Sequence, residues 1–533
     1  MNMPRIIPRS LPQVFVFMAR APKPLNQSPK FRAEPLVAVV SGEILDRYAV
    51  EQAAVYVVLD KNDGGGKARY IVTEPTLDEE EQRVYSLIME GLYFSLKPIA
   101  KAEDPLQYIE GYIWEVAENL GLVQHLEKAY QKYRYFIARD AIGYGPIDIL
   151  MKDNDVEEIS SEGYDKPVAV MHRRFTEYDW IDTNVRFASE DSLRKYVQRL
   201  AQKTGKSVTV AVPFADSMTS DGHRVAVTFA GEVTLPGSSF DIRKFPKEPL
   251  SIAHLIKSNT MSALMAAYYW LLVESKGFVM ILGTMGSGKT TTLNSLSTMI
   301  NPSSKIATIE DTPELRLPHT HWQRFKTRRT YSITESRFDV DLMDLVILSL
   351  RYRPDYVILG EVRGAEIRAL IQAAAIGHSA LCTMHAESPE AALVRMSSPP
   401  MDVSLGGRML VWNFLMLNRV KDRQGGKVIR RTISSTEVIP RENLVELKQV
   451  FAWNPRTDRF VPDGDNAAKH LVETSYRLKE IAKLRGWTDD ELVAQLEERR
   501  VLLASLVEED RLSYSDVSEA IQSYYHRNNV RTA

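Results

Sequence analysis

The chain has 533 residues, 44% hydrophobic and 26% charged, with a formal net charge of −2 at pH 7. That length exceeds one hydrophobic core and predicts about three or four domains, while the near-neutral balance excludes a global field toward nucleic acid or an acidic membrane. Cys382 is the one cysteine, which excludes an intramolecular disulfide and any multi-cysteine zinc site and fits a reducing compartment.

Residues 1–34 read as a basic, Pro-rich arm. Arg5, Arg9, Arg20, Lys23, Lys30 and Arg32 stand there without an acid before Glu34, which predicts a solvated, disordered segment; contact of residues 1–33 with an anionic membrane surface or a partner is the alternative. Val14 to Ala19 is too short an apolar stretch for a signal peptide, and no apolar run in the chain approaches the ~20 residues that cross a bilayer. Region 35–139 opens with strand-like runs around an NDGGG turn at Asn62–Gly66, then shows helical spacing in Leu87, Met89, Leu92 and Leu96 and in Ile109, Ile113, Val116 and Leu120. No chemistry is readable in it.

Residues 140–245 predict a smaller α/β lobe. A Gly-Pro turn leads to a short helix with the acidic, helix-start-like DNDVEE, then to a strand at Val168–Met171 and a basic helix at Ser192–Gly205. Arg224 and Arg243 each stand at the edge of an alternating strand, where a surface salt bridge suffices to explain them. Pro246 and Pro249 mark a linker over 246–260.

Over 261–425, strands alternate with helices of ten to fifteen residues, which predicts a mostly parallel sheet covered on both faces, with ligands beyond the carboxyl ends of its strands. Phe278 to Leu282 reads as a buried strand that runs into Gly283, Thr284, Met285, Gly286, Ser287, Gly288, Lys289, Thr290 and Thr291, matching G-x-x-x-x-G-K-[ST]. Glycines let successive N–H groups curl around a phosphate and the next helix presents its positive end to the same anion. Lys289 is expected at the β/γ-phosphates and the Thr290 hydroxyl on Mg²⁺. Three further strand ends carry polar residues: Glu310 with Asp311 behind it, Glu361 after Tyr356–Gly360, and His385 after Ser379–Met384. A carboxylate at the Glu361 position lies within one water of a γ-phosphate, as a general base must. Most P-loop NTPases carry an Asp before or in place of that Glu, where this chain has Gly360. Residues 426–533 return to strands at Lys427–Ile439 and Leu444–Trp453, then to helices that open with a Thr488/Glu491 capping box and with Ser513–Asp516; Leu492, Leu496 and Leu503 line one helical face.

TIEDTPELRLPH, YVILGEVRGAE and GHSALCTMHAESP, with the GTMGSGKTT cradle and with GYGPI, DGHR and IRKF upstream, resemble the motifs of the type II/type IV secretion ATPase superfamily over roughly 140–425. Without a four-cysteine element the chain is more similar to the archaeal and tight-adherence branch. The resemblance implies an α/β fold with a RecA-like P-loop motor domain preceded by a smaller PAS-like lobe, assembled as a homo-hexamer, with ATP and Mg²⁺ between the lobes. It further implies that Glu361 polarises the attacking water, that Glu310 supports Mg²⁺ or water, that His385 senses the γ-phosphate, and that Arg224 and Arg243 neutralise phosphate charge; Arg363 and Glu366 match the extension after Glu361. A cytoplasmic motor, peripherally attached through a polytopic inner-membrane platform protein and powering a pilus-like filament, is the expected role. A tight-adherence or conjugation-type secretion ATPase keeps the same chemistry, and a non-hydrolysing nucleotide-gated scaffold would bind ATP without turnover. A nucleic-acid translocating motor is disfavoured by the charge balance, and no stable nucleic-acid partner is expected.

Overall fold

A computed structural model describes residues 31–60, 66–96, 104–246, 248–328, 339–422 and 427–532. The first thirty residues of the basic arm and most of the NDGGG turn lie outside the described residues. Two compact units emerge. One holds the chain up to Arg173 together with Tyr178–Leu200 and Thr228–Asp241; the other holds Arg174–Glu177, Ala201–Val227 and everything from Ile242.

In the first unit, the period-two runs of the sequence become β1 (Glu43–Val50), β2 (Ala53–Asp60) and β3 (Lys67–Thr73), an antiparallel meander. Helices α1 (Glu79–Ser95), α2 (Pro105–Leu120), α3 (Val123–Lys128) and α4 (Tyr130–Ile137) follow. Asp78 and Glu81 cap α1 reciprocally, and α2 starts on Pro105 and stops at the left-handed Gly121, so local signals alone delimit both. After α5 (Asp148–Lys152), β4 (Val156–Ser161), β5 (Ala169–His172) and β6 (Ile181–Thr183) extend the sheet in the order β1-β2-β3-β6-β5-β4, with β3 and β6 parallel. The DNDVEE segment departs from the expected helix start. Asp153 ends α5, its carboxylate accepts the Asp155 N–H in a turn, and Val156 onward is strand. Helix α6 (Glu190–Lys203) completes this part of the chain.

The second unit begins with β7 (Phe214–Met218) and β8 (Arg224–Thr228), adjacent strands, and with the Ile242–Arg243 end of β9 (Ser239–Arg243). Helix α7 (Ile252–Lys257) lies inside the expected linker, but Ile252, Ala253 and Leu255 are buried in the main core of this unit. Next come α8 (Ala263–Glu274), β10 (Val279–Gly283), α9 (Lys289–Ser297), β11 (Ile306–Glu310), β12 (Trp322–Lys326), α10 (Leu342–Leu350), β13 (Tyr356–Val362), α11 (Glu366–Ala375), β14 (Ser379–Met384), α12 (Pro389–Ser397) and α13 (Leu405–Met409). Strands β15 (Asn413–Lys421), β16 (Val428–Pro440), β17 (Val445–Asn454) and β18 (Arg459–Val461) precede α14 (Ala467–Thr474), α15 (Tyr476–Arg485), α16 (Asp489–Glu508) and α17 (Tyr514–Thr532).

The sheet order is β12-β11-β13-β14-β10-β15-β16-β17-β18. All neighbours from β12 to β15 are parallel, and those beyond are antiparallel. Residues on either side of the expected 425/426 boundary therefore share one sheet, because β15 and β16 pair along their length. Alternate residues of β10 feed opposite cores: Val279 and Ile281 pack with α8 and the C-terminal helices, Met280 and Leu282 with α10 and α11. That two-faced burial explains the uninterrupted apolar run.

Helix α8 is apolar all round, since the C-terminal helices cover the face the sheet does not. The Trp270 indole donates to the Tyr525 hydroxyl at 2.9 Å, and Glu274 pairs with the buried Arg499 at 2.6 Å. Capping residues Thr488 and Glu491 open α16, and the Ser513 hydroxyl accepts the Asp516 N–H at the start of α17. This is the mostly parallel α/β sheet covered on both faces that the alternating strands and helices predict, with the ends of β10, β11, β13 and β14 on one edge of its parallel part.

Candidate active site

The cradle is built by backbone geometry first. Strand β10 ends at Gly283, whose φ of 151° suits glycine alone; a Cβ there would lie 2.5 Å from both the Leu417 carbonyl oxygen on β15 and Ser287 Oγ. Gly286 and Gly288 are left-handed as well, and Gly288 is the N-cap of α9. Thr284 and Met285 are exposed at the tip, Ser287 is buried with its hydroxyl on the Thr284 carbonyl at 2.8 Å, and Thr290 and Thr291 sit half-buried in the first turn of α9. These left-handed glycines turn N–H groups toward one concavity at a helix N-terminus, which suits a polyphosphate.

Lys289 is 8% exposed; its Nζ donates to the Thr284 carbonyl at 2.8 Å and lies 3.3 Å from His385 Nδ1. Burial pulls its pKa down to about 8, against the Glu361 carboxylate, which raises it, and with Arg243, which lowers it further. His385 Nε2 stands 3.0 Å from Glu361 Oε1, while the other Glu361 oxygen accepts from Arg363 at 2.6 Å. Lys289, His385 and Glu361, from three elements, thus form one continuous polar chain. Burial pushes the Glu361 carboxyl up, but the hydrogen bond and charge of Arg363, then His385 and Lys289, hold it below its ordinary value. For His385, burial and then Lys289 outweigh the attraction of Glu361 and lower its pKa. At neutral pH the site holds an ionised carboxylate beside a neutral imidazole. Glu366 caps the turn that follows, accepting the Arg363 and Gly364 N–H groups at 2.5 and 2.8 Å.

Glu310, at the end of β11, engages the backbone that follows it. Its Oε1 accepts the N–H groups of Glu314 and Leu315 at 2.9 and 3.1 Å, so the carboxylate braces the turn after β11. Burial raises its pKa to about 7 despite those two hydrogen bonds. A second acid close enough to interact with Thr290 is Glu314, whose carboxylate is favoured by Arg243 and Arg224 and then by the Thr290 side chain. Burial nevertheless raises the Glu314 pKa. Gly360 is explained by the same packing: a Cβ there would lie 2.9 Å from Glu310 Cγ, so the Glu310 stem occupies the space an Asp at that position would fill.

Arg224 makes the salt bridge that its sequence context allows, bidentate to Asp216 at 3.0 and 2.6 Å. It also senses Glu314 and Asp311, and Arg243 acts on both Glu314 and Lys289. Both arginines therefore belong to the electrostatic surroundings of the cradle.

Among the described residues no cluster of three or more His, Cys, Asp and Glu could hold a metal by itself. Thr290 with Glu314 offers a hydroxyl and a carboxylate, a partial shell that fits Mg²⁺, which keeps waters and phosphate oxygens as its remaining ligands. The donor set thus fits a magnesium nucleotide, with Glu314 joining the residues the sequence offers. Sequence reasoning gave Glu314 no role; its one signal was a third acid four residues beyond the strand end, separated from Glu310 by Asp311, Thr312 and Pro313.

Comparison with known proteins bears on the same residues. A family model described as type II/IV secretion system protein matches residues 145–405, from the Gly-Pro turn past His385. The uncharacterized protein MJ0900 of Methanocaldococcus jannaschii is 32% identical over 488 residues, 86% of this chain and 86% of that one. MJ1287 of the same organism is 40% identical over 255 residues, 47% of this chain and 90% of its own. The type IV secretion system protein PtlH of Bordetella pertussis is 39% identical over 130 residues, 24% of this chain and 38% of its own.

Proposed function

The chain belongs to the type II/IV secretion system protein family, and from that premise we propose that it hydrolyses Mg²⁺-ATP as a homo-hexameric motor. The work would drive assembly of a type IV pilus-like filament of archaeal type through a polytopic membrane platform protein. The single observation that carries the catalytic part is the chain Lys289–His385–Glu361 at the mouth of the glycine cradle, with Thr290 and Glu314 beside it.

Each residue then has a task its geometry suits. The cradle N–H groups and Lys289 hold phosphate, Thr290 and Glu314 hold Mg²⁺, and bound ATP with its metal supplies the phosphoanhydride to be split. Glu361, kept ionised, accepts a proton from water. Arg363 occupies that carboxylate at rest and has to release it. His385, neutral and touching both Lys289 and Glu361, is placed to report on what lies between them. Arg224 and Arg243 add positive charge facing Glu314, where phosphate charge is to be neutralised.

Similarity to MJ0900 along most of the chain supports the archaeal branch, and similarity to PtlH over the shorter stretch keeps a secretion client as the second reading. No helix among the described residues is long and apolar enough to cross a membrane, which is consistent with a motor in the cytoplasm that attaches peripherally through its partner. Glu361→Gln is the decisive variant: it should retain ATP binding and lose turnover by at least about 100-fold. Wild-type turnover in Glu361→Gln would remove Glu361 from the role of base. Co-purification of a polytopic membrane protein supports the motor reading; hydrolysis stimulated by DNA with steep salt dependence would replace it with a nucleic-acid motor.

A further inference from the structure

Two arginines that the reading above does not use stand against the cradle. Arg419 on β15 and Arg430 on β16 are direct cross-strand partners, so two like charges face each other in one register position. Like charges placed directly opposite destabilise a strand pair. Among the described residues neither guanidinium is paired with a carboxylate. Both instead lean on the phosphate loop: a Cβ on Gly286 would lie 3.5 Å from Arg419 Cδ and Nη1, a Cβ on Gly288 would lie 3.5 Å from Arg430 Cδ, and Arg430 Nε donates to the Gly286 carbonyl at 3.0 Å.

Sheet order fixes which flank this is. Strand β10 runs between β14 and β15. His385 follows β14, and with Glu361 after it on the β13 side it defines the flank where the terminal phosphate is split. Arg419 and Arg430 stand on the opposite flank, against the glycines whose N–H groups cradle the α/β-phosphates in loops of this type. A pair of guanidinium groups with no acid between them and a loop of N–H donors beneath is a site for a shared oxyanion.

We propose that Arg419 and Arg430 clamp the diphosphate portion of the bound nucleotide, the part common to ATP and ADP. Arg430 does so while fixing the loop through the Gly286 carbonyl, and Arg419 is the free arm. The clamp holds product as firmly as substrate, so it sets how long ADP stays bound and leaves the bond-breaking step to Glu361. This inference rests on the nucleotide reading of the cradle.

The test is equilibrium binding to the full chain, followed by fluorescence of a labelled ADP and, in a Glu361→Gln background, of labelled ATP. Arg419→Ala should raise both dissociation constants at least about tenfold and by similar factors, with a melting temperature no lower than that of the wild type; Arg419→Lys, which keeps the charge, should recover most of the loss. Arg430→Ala should show the same equal loss. ADP affinity within twofold of wild type in Arg419→Ala overturns the clamp, as does a loss confined to ATP, which would place the arginine at the terminal phosphate. A wild-type chain that binds neither nucleotide would instead overturn the nucleotide reading itself, so the two failures are distinct.

Discussion

Gly360→Ala tests why the strand that carries the proposed base departs from the usual acidic pair. The added Cβ would meet Glu310 Cγ at 2.9 Å. That atom is close to the backbone of β11, and the carboxylate beyond it is pinned by the Glu314 and Leu315 N–H groups with only 3% of the residue exposed, so it has little room to yield. Overpacking of this kind costs about 1–3 kcal/mol. The strain should be released by opening the turn that Glu310 braces, so backbone hydrogen exchange at Glu314 and Leu315 should accelerate by roughly 5- to 150-fold. Glu310→Ala alone should speed the same amides by removing their acceptor. In the Glu310→Ala background, Gly360→Ala should add almost nothing, giving a coupling energy of about 1–3 kcal/mol.

The pH dependence of the same brace has a definite sign. Burial raises the Glu310 pKa to about 7, so the fold prefers the neutral acid; that contribution is complete below about pH 4.5 and is lost as pH rises through about 7. Glu310→Gln, which keeps an acceptor oxygen without the charge, should therefore protect the two amides at pH 8 at least as well as the wild type does. Independent, additive effects of the Gly360 and Glu310 substitutions, within about 0.5 kcal/mol, would refute the packing argument.

Lys289 should make nucleotide affinity pH-dependent. Its depressed pKa of about 8 in the free site means that binding a phosphate takes up a proton above that pH, so the ADP dissociation constant should be flat below about pH 7.5 and rise about tenfold per unit once pH is well above 8. A flat titration to pH 9.5 would show that the ammonium does not face the phosphate. For the metal, Glu314→Gln should raise the Mg²⁺ concentration for half-maximal turnover about tenfold while sparing metal-free nucleotide binding, and Glu310→Gln should leave that concentration unchanged. Equal effects of the two substitutions would return Glu310 to the metal.

What could be read from the sequence divides along a physical line. The cradle was legible because its requirement is local: each glycine answers a backbone angle or a close approach within nine residues, and Gly283, Gly286 and Gly288 all adopt positive φ. The strand ends were legible because two-faced burial writes itself as an apolar run with a polar stop. Side-chain direction at those stops was not, since it depends on the neighbouring strand. Glu310 and Glu314 look equivalent in TIEDTPEL, and only the pairing of β11 with β13, which brings the bare Gly360 beside Glu310, shows that the stem of the first acid is packed against the next strand, while the second interacts with Thr290.

The same logic accounts for the boundaries. Proline at 246 and 249 signals a break in regular structure, but a break is not an exposed linker, and the buried face of α7 shows the chain returning to the core within three residues of Pro249. Antiparallel β16 carries a different texture from the parallel strands before it because a hairpin needs no covering helix. That change of texture reads as a domain boundary along the chain, whereas in the sheet β16 is the strand that carries Arg430 onto the phosphate loop. The segment that sequence alone sets apart from the motor thus completes the flank of its cradle opposite the proposed base.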